Sequence, residues 1–71
     1  ERLQSALERA LTIAIEAGDL RADLDIQQPV FEVLGIIFAY YHNARLLQRP
    51  DAARRAEAAF ARLLSTAQPA I

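Results

Sequence analysis

The sequence has no cysteine, which excludes disulfide bridges and thiolate metal sites, so stability must come from packing. Its one histidine, His42, builds no metal site without several carboxylates around it. Methionine is missing too, initiator included, which points to a piece of a longer protein or a trimmed one. Charge of one sign is scarce: the net charge of -1 leaves no electrostatic footprint for nucleic acid or an anionic lipid surface. Nor is there a secretory signal, because the N-terminal "ERLQSALERA" is charged and helical in pattern. Val33 to Ala44 runs twelve residues without Asp, Glu, Lys or Arg, against the ~20 that a bilayer crossing needs. The expectation is a cytoplasmic chain with no membrane contact, no metal and no cofactor.

What is present is a globular composition, 54% hydrophobic and 24% charged over 71 residues. A domain this small buries only ~60% of the surface that its unfolded chain exposes, and association with a partner is the remaining source of stability.

The periodicity is helical throughout, with no strand pattern, repeat or low-complexity tract. Over residues 1–17, Leu3, Leu7, Ala10, Leu11 and Ala14 recur at three- and four-residue steps. Together with Ala6, Ile13, Ile15 and Ala17 they fill an arc of roughly 200°, wider than one contact stripe. Glu1, Arg2, Ser5, Glu8, Arg9, Thr12 and Glu16 hold the other side, so the first helix is expected to touch more than one neighbour. Gly18 stands where a helix end favours a left-handed residue and opens "GDLRADLD". There Leu20 and Leu24 are spaced to plug onto a core while Asp19, Arg21 and Asp23 stay wet. Asp25 can cap the next helix with Gln28, and Pro29 allows a start one turn later.

The second helix is expected over about residues 27–48. Between Val30 and Tyr41 only Glu32 is charged near neutrality, so this helix is apolar for two or three stripes and must be sandwiched. "RPD" ends it, and Asp51 is placed to cap a third helix over 51–67. In that helix Ala52, Ala53, Ala56, Ala59, Phe60, Leu63, Leu64 and Ala67 share one side, and Arg54, Arg55, Glu57, Arg62 and Ser65 form a solvated one. Gln68-Pro69 stops it.

Candidate chemistry is confined to "AYYHNAR", residues 39–45. No nucleophile, oriented base or metal cluster accompanies it, so catalytic residues are not expected and the chain is not read as an enzyme. Two readings stand for the cluster. Tyr40 and Tyr41 can pack their rings with the hydroxyls at a wet edge while His42 and Arg45 cap the helix end. Alternatively, the cluster offers polar contacts to a small molecule or a partner subunit. Gly35, costly inside a helix, asks for close approach of a neighbouring helix or for room for a ligand. Helix, glycine-containing turn, helix suggests a DNA reader, but the connection from Gly18 to Asp25 is too long and the helix after it too apolar for a groove. Association is expected through residues 30–47 and 53–67, with Leu34, Phe38 and Tyr41 packing on Phe60, Leu63 and Leu64 within and across subunits.

The stretch "AGDLRADLD", residues 17–25, then an apolar helix, a short "LLQRPD" link and a helix ending "FARLL", resembles the C-terminal half of tetracycline-repressor (TetR) family transcriptional regulators. That resemblance implies an all-α fold of three antiparallel helices, the last two pairing with the same two of a second subunit as a four-helix bundle. It implies a homodimer, a dimerisation and effector-sensing segment of a repressor. It also implies a small-molecule effector bordered by the first helix and the inner side of the second, with Phe31, Phe38, Tyr41, His42 and Arg45 best suited to line it. The family's N-terminal helix-turn-helix domain has no counterpart in these residues, so no nucleic acid contact by this segment is expected. The competing class is a stand-alone helical protein-protein interaction module that docks through its second helix.

Overall fold

The computed structural model describes residues 2–69. It holds three α-helices, α1 (Arg2–Glu16), α2 (Gln27–Tyr41) and α3 (Ala52–Ala67), and no strand among the described residues. The all-helical expectation and its order therefore hold. Glu1, assigned to the polar side of the first helix, lies outside the described residues.

α1 ends in a Schellman motif. Gly18 takes φ +85°, its N–H donates to Ile15 C=O at 3.0 Å, and Asp19 N–H donates to Ala14 C=O at 2.9 Å. Glycine is suited to that left-handed position because it has no Cβ to clash with the neighbouring carbonyl. In the connection that follows, Leu20 is buried, Leu24 is half-buried and Asp19 and Asp23 are exposed, as the spacing predicts. Arg21 departs from it: its side chain is partly covered and its Nε is buried. Its N–H donates to Ala67 C=O at 2.9 Å, which pins the connection to the end of α3.

The start of α2 corrects the expected cap. Ile26 is the N-cap and makes no side-chain hydrogen bond. Asp25 Oδ1 accepts from Gln27 N–H at 3.2 Å, while Gln28 Nε2 turns forward to Glu32 Oε2 at 2.9 Å. Pro29 is tolerated in the first turn, where an N–H has no helical partner to lose. α2 begins beside the middle of α1, joined there by a hydrogen bond from Gln27 Nε2 to Glu8 Oε2 at 3.1 Å.

α2 does not run to residue 48 as a regular helix. From His42 to Leu46 it widens into a π-helical turn, marked by Leu47 N–H donating to His42 C=O at 3.0 Å. Gln48 then takes φ +54°, and Arg49 N–H donates to Asn43 C=O at 2.8 Å. A left-handed non-glycine residue costs roughly 1–2 kcal/mol, which the surrounding turn must offset. α3 closes where the sequence indicates, with Gln68 extended at ψ 153° before Pro69.

The core is small. Leu20, Val30, Ala52 and Ala67 are its buried hydrophobic residues, with Val30 the most enclosed at 2% exposure. All three phenylalanines and both tyrosines are exposed. The molecule is a slab of 38 × 30 × 15 Å with a radius of gyration of 13.4 Å, against about 11 Å for a compact chain of 71 residues.

Candidate functional site

α2 and α3 lie antiparallel. Gln28 and Glu32 line one end of the space between them with Leu63 and Thr66, and Tyr40 and Asn43 line the other end with Ala52 and Ala56. Ile36 and Tyr40 of α2 and Ala56 of α3 form the seam, since they border an open groove on each side of the helix pair.

On one side is a cleft of about 530 Å³, within the ~300–1,000 Å³ typical of small-molecule sites. Its floor and walls are Gly35, Ile36, Ala39, Ala52, Ala56, Ala59 and Leu63, and its polar groups are Glu32, Tyr40, Asn43, Arg49, Asp51 and Arg55. A Cβ added at Gly35 would meet nothing within 4 Å. Among the described residues no other helix closes on Gly35, and of the two reasons anticipated for it the structure leaves open space.

The π-helical turn sets the polar end of the cleft. Asn43 is held by Nδ2 donating to Ala39 C=O at 2.8 Å, and the left-handed Gln48 returns the chain so that Arg49 borders the cleft beside Asn43. Asp51 occupies the N-cap position of α3 but makes no capping hydrogen bond. Its carboxylate is taken by the arginines of the next turn, accepting from Arg55 Nε at 2.7 Å and lying 3.7 Å from Arg54. The hydrogen bond from Arg55 is the chief cause that holds the Asp51 carboxyl below its ordinary value. Arg49 enters no salt bridge among the described residues.

The other side of the helix pair carries a shallower groove bordered by Ile37, Tyr41, Ala53 and Glu57. Phe60 and Leu64 follow Ala53 and Glu57 at three- and four-residue steps, so they share that side of α3, and both are exposed. Leu63 is half-buried and borders the large cleft instead.

The residues expected to bind an effector fall elsewhere. Phe31, Phe38 and His42 follow a seven-four spacing and form one row along α2, with Gly35 at the row's edge toward the cleft that it borders. Ile36 and Phe38 are separated by about 200° round the helix, so this row points away from the seam. Phe31 is 73% and Phe38 67% exposed, and His42 and Arg45 are exposed as well. Tyr41 lines the shallow groove, with its ring 6.0 Å from that of Tyr40 in an edge-to-face pair. Leu34 is half-buried. The structure thus separates the row of Phe31, Phe38 and His42 from the cleft, and the cleft is formed by Asn43, Arg49, Asp51 and Arg55, which sequence reasoning did not gather. Only the Asp51–Arg55 spacing, one helical turn, was a visible signal.

No group of three or more His, Asp or Glu residues that could hold a metal ion occurs among the described residues. No described helix is long and apolar enough to cross a membrane.

The described residues form an all-helical layer whose aromatic side chains are exposed and whose last two helices run antiparallel. The family model for the tetracyclin repressor-like C-terminal domain matches residues 1–60. The chain belongs to that family, whose domains are parts of transcription regulators. No curated protein and no solved structure matches the chain.

Proposed function

We propose that this chain is the dimerisation and effector-sensing segment of a TetR-family repressor, acting without direct contact to DNA. The observation that carries this reading is the uncovered apolar surface of α2 and α3. The chain exposes 5504 Å², where a compact monomer of 7.9 kDa exposes about 4,400 Å². The excess exceeds the ~800 Å² that each partner contributes to an interface of standard size.

A second copy is the economical cover. Placing α2 and α3 against the same two helices of a partner, as a four-helix bundle, encloses Phe38, Tyr41, Phe60 and Leu64 together with Leu34, while Leu63 borders the cleft on the other side of the pair. The row of Phe31, Phe38, His42 and Arg45, continued by Tyr41, then forms one wall of an effector pocket, whose remaining walls come from outside the described residues. Residues 1–71 act as a single regulatory unit in this arrangement.

Sedimentation equilibrium at micromolar concentration tests the reading. A dimer is expected, and a well-folded monomer would overturn it; a monomer that binds a different protein through α2 would favour the interaction-module alternative. Duplex DNA is expected to bind no better when it carries an operator than when its sequence is random.

A further inference from the structure

We infer that the cleft between α2 and α3 is a second small-molecule site, selective for a carboxylate with an unbranched apolar chain. It is distinct from the row of Phe31, Phe38 and His42, since that row points away from the seam.

The cleft has two chemical ends. Arg49 and Arg55 border the end formed by the π-helical turn, and Glu32 borders the other, eleven residues before Asn43 on α2. Eleven residues of helix span about 16 Å, so one end of an elongated guest meets cations and the other does not. Asp51 offsets the positive charge only in part, because its carboxylate already accepts from Arg55 and lies beside Arg54. Arg49 has no carboxylate partner among the described residues. Its position is fixed by its own N–H bond to Asn43 C=O and by the left-handed Gln48 before it. An exposed arginine on a fixed backbone, bordering a cleft walled by Ile36, Ala39 and Ala56, favours an anionic head and an apolar body.

The walls choose the body. Alanine side chains and Gly35 leave the cleft smooth, and the space beside Gly35 is open. A thin aliphatic chain follows such a surface.

Decanoate and the uncharged decan-1-ol are the probes, titrated into the 71-residue chain while amide resonances are followed and the mass is monitored by sedimentation. Saturable decanoate binding is expected, with shifts centred on Ala39, Ala56 and Arg49, and the alcohol should bind about tenfold more weakly. Arg49→Gln should weaken decanoate by about tenfold and leave the alcohol unchanged. Gly35→Leu should fill the cleft and abolish binding of both while helix content and mass stay the same. Equal affinity for acid and alcohol, shifts centred on Phe31 and Phe38, no saturation, or wild-type affinity in Arg49→Gln would each overturn the site. Loss of the dimer in Gly35→Leu would also overturn it, by assigning the cleft to a second copy. A monomer that still binds decanoate at Ala39 and Ala56 would overturn the dimer and leave this site standing.

Discussion

Gly35 is the residue at which sequence cost and structural surroundings can be compared most directly. It sits inside α2, where glycine is less favourable than alanine by about 0.8–1 kcal/mol, and its backbone is helical, so alanine fits without strain. With nothing within 4 Å of an added Cβ, Gly35→Ala should raise the stability of the chain by about 0.5–1 kcal/mol in urea unfolding. A loss instead would show that a helix outside this chain reaches Gly35. Asp51 gives a pH-dependent counterpart. Its carboxyl is held below the usual aspartate range chiefly by the hydrogen bond from Arg55, so the folded state binds a proton less readily than the unfolded one. The stabilisation is therefore present at neutral pH and above. It is lost as pH falls below the ordinary value of about 3.9 and through the lowered folded value. Asp51→Asn should melt lower than the parent at pH 7, and the two should converge in acid and in high salt. A gap that persists at pH 2 would assign the effect to something other than this ion pair.

At the scale of elements, most of what periodicity and end signals specify is found in the fold. Leu7, Leu11, Ala14 and Ile15 are a half-buried stripe of α1. Gly18 and Gln68-Pro69 end helices by local backbone geometry that a sequence displays directly. The second apolar stripe of α1, with Leu3 and Ile13, is exposed, so the width of the arc was legible while no described element covers that stripe. The π-helical turn left no signal, because it depends on which carbonyl each N–H of His42–Leu47 selects and not on a side-chain pattern. The cleft was equally hidden: alanine and glycine from two helices carry no motif, and its cations come from a connection and a helix start. Side chains also redirect caps, as at Asp51, where two arginines one turn on outcompete the backbone. The exposed row of α2 yields its own prediction. Because Phe38 is 67% exposed in the chain, Phe38→Ala should cost under about 1 kcal/mol of intrachain stability. It should weaken self-association by about 2 kcal/mol or more, roughly thirtyfold in Kd. Equal sedimentation profiles for the two proteins would remove Phe38 from the interface.

The described residues form a layer 15 Å thick, and a layer of helices has two broad faces and little interior. Four buried hydrophobic residues and one proline offset little of the conformational entropy of ordering a chain of this length. A fold with so little enclosed surface should therefore draw its stability from association, and its melting should then obey mass action. For two chains of 71 residues unfolding with dissociation, an enthalpy of ~0.7 kcal/mol per residue gives a rise in Tm of roughly 5 °C for each tenfold increase in concentration. Calorimetry between micromolar and millimolar protein measures this slope. A Tm that does not move with concentration would mean that the three helices hold together alone, and the uncovered aromatic residues would then need a role other than joining two copies. With Phe38→Ala the slope should remain while every midpoint falls, because a weakened dimer still unfolds with dissociation. If the slope vanishes in that variant while the fold persists, α1, α2 and α3 form a stable monomer and dimerisation is an added function, separate from folding.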